Sequence, residues 1–184
     1  PTVFTNGERN VVFKEQMLLS IINNLPPIFR LYSCDLVFKM SVHGSHLLSL
    51  YSRCNSRCQY IMIIKTNTKI IGAFLSDFQV DKFKGHYFGT GMTMVFDIDK
   101  SLFFKLRYSP NNYFICGSDD SLMIGGPDPA LFIPNGFDTV YSKPCETFKS
   151  PILTENQNGD GIIDFEMYKF VPIHTIKKRR KSIT

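Results

Sequence analysis

The sequence has no run of 18 apolar residues, so no segment reads as a membrane-spanning helix. It has no tryptophan and four histidines, His43, His46, His86 and His174, too few and too scattered to assign a catalytic base. No Gly-x-Ser-x-Gly elbow occurs, and Cys145 lacks the flanking signature of a nucleophilic cysteine. Self-similarity at a period of roughly 20–50 residues is absent, which argues against a solenoid or propeller. Five cysteines (Cys34, Cys54, Cys58, Cys116 and Cys145) are an odd number without framework spacing. They read as reduced thiols of a cytoplasmic protein. The chain starts at Pro1 with neither an initiator Met nor a signal-peptide pattern, so it reads as a domain of something longer.

Net charge is also missing from most of the chain. The block Lys177-Lys178-Arg179-Arg180-Lys181 accounts for the whole formal net charge of +5. A neutral body with a basic end argues against a nucleic-acid-binding face on the fold. The end itself reads as a solvated, disordered tail. A nuclear address, an acidic-membrane contact and a kinase target at Ser182 are its alternative uses.

What is present favours strands: 17 Phe and 8 Tyr, with frequent Ile, Val and Thr, in 184 residues that suit one domain. The stretch from Ile70 to Phe96 is central. Ile70-Ile71-Gly72-Ala73-Phe74-Leu75-Ser76 and Phe88-Gly89-Thr90-Gly91-Met92-Thr93-Met94-Val95-Phe96 are apolar runs punctuated by glycine. Glycine inside a strand marks a bulge, a bend or a close backbone approach. A phosphate cradle would need a helix to follow Gly89-Thr90-Gly91, and here a strand follows.

From Phe13, apolar residues at Met17, Leu18, Ile21, Ile22 and Leu25 form a helical stripe ended by Pro26-Pro27. Ile28–Ser33 reads as a short strand. Gly44-Ser45 opens a second helix with Ser45 as N-cap and Leu47, Leu48, Tyr51 and Cys54 on one side. Tyr60–Lys65 and Lys69–Phe74 read as a hairpin covered on both faces. Further strands are expected at about 92–98, 102–107, 112–116, 120–124, 130–133 and 162–171, separated by turn residues. The expected fold is α+β, mainly β: an antiparallel two-sheet β-sandwich flanked by short helices. Residues 1–24 read as an N-terminal extension with a helix, 25–172 as the domain and 173–184 as the basic tail.

Three constellations bear on chemistry. Residues 156–167 have the spacing of a calcium loop, but Asn156 stands at its first position and Met167 where a bidentate Glu belongs. A polar hairpin loop is the preferred reading, with a calcium-responsive adaptor as the alternative. His43, His46, Cys54 and Cys58 form a set of zinc-ligand types without a finger pattern. Ser45 or Ser76 as a nucleophile, or Cys54 and Cys58 beside Arg53 and Arg57 as reactive thiols, are what a hydrolase or thiol-redox enzyme would use.

An ordered series of short motifs resembles the TLDc domain family. It runs Leu31-Tyr32-Ser33, His43-Gly44-Ser45, Ile63-Ile64-Lys65, Gly72-Ala73-Phe74 with Ser76, and Phe88-Gly89-Thr90-Gly91. It continues with Asn112-Tyr113-Phe114, Leu122, Ile124-Gly125-Gly126, Cys145-x-Thr147-Phe148, and Phe165-Glu166 with Phe170. Tyr168 stands where the family carries a tryptophan after the Glu of the last strand, and Gly125-Gly126-Pro127 replaces a more glycine-rich turn. The resemblance implies a helix-flanked β-sandwich with no established catalytic activity; no cofactor and no bound metal are expected. It also implies a monomeric cytoplasmic module, within a longer protein, that binds peripheral-sector subunits of the vacuolar proton-pumping ATPase (V-ATPase) and is linked to oxidative-stress resistance. It marks Gly72, Gly91, Gly125 and Glu166 for that contact, and the expected set of partner-binding or loop-shaping residues is Gly44, Ser45, Gly72, Gly89, Gly91, Gly125 and Glu166. In chemical terms, the glycines set loop shapes and Glu166 is expected to anchor those loops through backbone N–H groups.

Overall fold

A computed structural model describes residues 1–80, 84–106 and 111–173. The hairpin read from residues 60–74 forms the middle of the larger of two sheets: β3 (Tyr60–Thr66) pairs with β4 (Ile70–Leu75). β12 (Asp160–Pro172) lies on the other side of β3 and also pairs with β2 (Tyr32–Lys39). β6 (Met94–Asp97) and β7 (Leu102–Lys105) extend the sheet beyond β4, and the two-residue β1 (Val3–Phe4) closes the opposite edge. β11 (Thr139–Val140) pairs with the start of β12. The smaller sheet has the order β10 (Leu131–Pro134), β9 (Ser121–Ile124), β8 (Ile115–Gly117) and β5 (Tyr87–Phe88). The fold is thus the expected mainly-β sandwich with short helices, and every pairing is antiparallel except that of β1 with β2.

The continuous apolar runs follow from the large sheet being covered on both faces. On β3, Tyr60, Met62 and Ile64 join the core between the sheets, with Leu122, Ile124, Leu131 and Ile133 of the small sheet. Ile61 and Ile63 point the other way, into a second core closed by Phe13, Leu18, Ile21, Ile22 and Phe29. Helix α1 (Glu15–Ile22) and the residues around it therefore form a third layer, supplied largely by the segment read as an N-terminal extension. Burying each such side chain contributes about 1.5–3 kcal/mol, so four of them rival the roughly 5–15 kcal/mol net stability of a whole domain.

Three local readings are corrected. Ile28–Ser33 is not a strand: Pro27–Leu31 is a 3-10 helix, and the strand, β2, begins only at Tyr32. Pro27 suits a first helical turn because it has no N–H to leave unpaired. A single turn, Met40–His43 (α2), then intervenes before the second helix, α3 (Leu47–Arg53), whose N-cap is His46. Ser45 is not the cap. The Asn135 side chain, from the turn after β10, accepts the Leu47 N–H at 2.9 Å, while the Ser45 carbonyl accepts the Gly136 N–H at 3.0 Å. The tail from 174 onward, with His174 and the basic block, lies outside the described residues, as does part of the turn near 109.

If Asn135 caps α3, Asn135→Ala lowers stability by about 1 kcal/mol, the usual loss for an N-terminal cap. Ser45→Ala stays within about 0.5 kcal/mol, as uninvolved surface changes do. Urea unfolding midpoints at constant slope check both.

Candidate functional site

β12 carries two carboxylates two residues apart, Asp164 and Glu166, on one face of a strand whose neighbours are apolar. A charge that far inside needs partners, because stripping its hydration costs several kcal/mol. Glu166 is fully buried and has four. Its two oxygens accept the Val12 N–H at 2.8 Å, the Phe13 N–H at 3.0 Å, the Lys39 ammonium at 2.8 Å and the Tyr168 hydroxyl at 2.9 Å. Lys39, itself buried at the end of β2, also pairs with Asp164. The Phe13 ring packs on Tyr168 with centroids 4.8 Å apart.

Burial works against the Lys39 ammonium, but the hydrogen bonds to Asp164 and Glu166 outweigh it and raise its pKa above the ordinary 10.5. Burial, then the adjacent Glu166 charge, raises that of Tyr168, so its hydroxyl stays a donor. His43 turns Nδ1 toward the Lys39 N–H at 2.9 Å; burial and the Arg53 charge lower its pKa and favour the neutral ring that this bond requires.

Glu166 thus does bind backbone N–H groups, but those of the segment entering α1 rather than those of the glycine loops. Its cross-strand neighbours extend the account. Lys39, Glu166, Ile63, Gly72, Phe96 and Phe103 lie in one row across six strands. Gly72 is needed there for close approach, since a Cβ would collide with the Met62 carbonyl oxygen and press on the Phe96 ring. The other glycines lie in different turns. Gly44 follows α2, where a Cβ would meet nothing. Gly89 ends β5, and Gly91 sits in the exposed turn leading to β6. Ser76 holds that turn, accepting the Thr90 N–H at 2.8 Å and pairing with the Thr93 hydroxyl at 2.8 Å. A Cβ on Gly91 would meet only the end of the Leu106 side chain, at 2.6 Å. Gly125 combines a φ of +88° with a wall of Cys145 and Phe148, so any side chain there is both strained and obstructed.

Of the residues a hydrolase or thiol enzyme would use, Ser76 and Cys54 are otherwise engaged. Ser76 bonds to threonines, and among the described residues no serine or cysteine is hydrogen-bonded to a histidine. Cys54 lies in the core, and burial raises its pKa, the opposite of an activated thiol. Cys58 is half-buried, 3.5 Å from the Ser56 carbonyl. In the calcium-like loop, Asp160 is turned inward: its carboxylate accepts the Glu155 N–H at 2.7 Å and the Asn156 N–H at 3.0 Å, pinning the loop that leads into β12. Among the described residues, no three His, Cys, Asp or Glu side chains gather as a metal site.

The family model for the TLDc domain matches residues 7–171, nearly all of the sandwich and its third layer. The chain belongs to the TLDc domain family. Nuclear receptor coactivator 7 of Mus musculus is 27% identical over 155 residues, covering 82% of this chain and 16% of that protein. Oxidation resistance protein 1 of Bos taurus is 29% identical over 157 residues, covering 83% of the chain and 18% of the relative. Its Xenopus laevis counterpart is 28% identical over 164 residues, 86% of the chain and 19% of its own length. The chain spans less than a fifth of each of these curated relatives.

Sequence reasoning singled out Glu166 but missed Lys39, Asp164 and the two N–H donors. The usable signal was the alternation Asp164-x-Glu166 within an apolar strand, which demands a buried cation from another strand.

Glu166→Ala, which strands two N–H groups and half the pairing of Lys39, is expected to cost about 3–5 kcal/mol, read as a lower urea midpoint. Because the folded pKa of Lys39 is raised, its contribution is complete below the ordinary 10.5 and is lost as pH rises through the folded value. A carbon-detected NMR titration of the Lys39 side chain should give a midpoint above 10.5; one at or below it would refute the pairing.

Proposed function

We propose that this domain is a non-catalytic protein-interaction module that binds peripheral-sector subunits of the vacuolar proton-pumping ATPase and contributes to oxidative-stress resistance. The observation that carries the reading is TLDc membership together with similarity to proteins named for oxidation resistance. The geometry supports the non-catalytic half: Ser76, Cys54, His43, Asp160 and Glu166 are engaged in holding the fold. In this reading the domain works in the cytoplasm and reaches acidic organelles through the pump, with no need for a spanning helix.

Gly91 is the residue that separates binding from stability. It is exposed in a turn fixed from within by Ser76, and an added side chain meets only a movable Leu106 terminus. Gly91→Val should therefore keep the melting temperature within a few degrees, as surface changes do. It should nevertheless lose capture of pump subunits from cell extract by about tenfold or more, a loss of at least 1.4 kcal/mol. Retained capture by a folded Gly91→Val protein, or no pump subunit in the wild-type eluate, would count against the reading.

A further inference from the structure

Among the described residues the large sheet ends at β7, and no strand pairs with its outer side. Among the described residues, the backbone of Leu102–Lys105 bonds only to β6. Every second residue of such a strand turns an N–H and a C=O away from the sheet. The remaining edges differ. β1 and β5 are two residues long, and β10 contains Pro134 and is covered where Phe132 exchanges two hydrogen bonds with Tyr141. β7 is therefore the longest uncovered edge strand among the described residues.

A groove runs beside it. Two hollows of about 380 and 500 Å³ share Asn23 and Asn24 as one wall; the opposite wall runs from Ser101 and Leu102 to Lys105 and Leu106. Leu102 is 44% exposed, and Met92, beside Gly91 at the groove's end, is 41% exposed.

We propose that the β7 edge receives an extended, acid-bearing segment of a partner protein as an added strand. The unpaired backbone groups call for another extended backbone, since only that presents N–H and C=O at matching intervals. At about 3.3 Å per residue the strand offers roughly 13 Å, room for a segment of about four residues. Its charge comes from Lys100 and Lys105, both exposed and in no ion pair among the described residues. The nearby acids are committed: Asp99 accepts the Ile70 N–H at 2.7 Å, and the buried Asp97 accepts the Lys100 N–H at 3.1 Å and lies 3.6 Å from the Lys69 ammonium. The same lysines argue against a second copy of this chain. A symmetric antiparallel pairing centred between Leu102 and Phe103 would set Lys100 opposite the other copy's Lys105, which like charges disfavour.

This inference rests on the reading of the domain as an interaction module, but no pump component enters its test, so the two fail separately. The full chain is used to select from a random-peptide phage library. Selected peptides should alternate apolar or β-branched residues with Asp or Glu, and a synthesised member should slow amide hydrogen exchange in residues 102–105. Lys105→Glu, a change at an exposed position, should weaken that acidic peptide several-fold at low salt and select basic peptides in its place. An empty selection, protection confined to other residues, or unchanged charge preference in the variant would overturn the proposal. So would a concentration-dependent dimer that protects the same amides.

Discussion

One buried carboxylate ties together parts of the chain that are far apart in sequence. Glu166, on the last strand, receives two N–H groups from the segment before α1 and an ammonium from the end of β2. A buried ion pair is a poor source of net stability, because desolvation consumes most of its Coulombic gain. What it supplies is position. With every acceptor site occupied and Lys39 shared with Asp164, the third layer fits the sheet in one register only, and a shifted one would bury an unmatched charge. The apolar contacts of Phe13, Leu18 and Ile21 supply attraction without direction, and the carboxylate adds the direction.

The two-faced sheet explains the unusual composition of its central strands. Ile61 and Ile63 look into one core while Tyr60, Met62 and Ile64 look into the other, so β3 has no position to spare for a polar side chain until Lys65. Packing this dense leaves little tolerance for extra volume. Gly72, in the same row as Glu166, meets that limit by having no Cβ where the Met62 carbonyl and the Phe96 ring come close. The row therefore combines a polar anchor at one side of the sheet with a steric constraint two strands away.

The sheets were legible where periodicity is strong: the hairpin of β3 and β4, the short strands from 94 to 134 and the final strand all show apolar runs bounded by turn residues. Legibility failed where tertiary context overrides local pattern. The proline pair at 26–27 obscured a 3-10 turn, and the apolar Val37 blurred the alternation of Cys34, Leu36 and Phe38 about Asp35 that marks β2. Ser45 had the composition of a cap, but Asn135, some ninety residues later, accepts the first helical N–H; no local rule reports such a partner. Among the marked residues, Glu166 could be named and its preference for N–H donors reasoned, but not which N–H groups it would meet. That depends on how the first and last strands share the sheet.

The placement of β12 between β2 and β3 has a consequence for biosynthesis. A ribosome delivers this strand after all the other described strands, so β2 and β3 leave the exit tunnel without the neighbour that separates them. Until residue 172 is made, the large sheet is two unjoined halves, and the amphipathic α1 has no finished surface to settle on. Folding as the nascent chain lengthens can thus reach the small sheet and the β3–β4 hairpin, while closure of the whole waits on the C-terminal residues. In the meantime, the exposed apolar surface of the unfinished halves is the kind that chaperones bind.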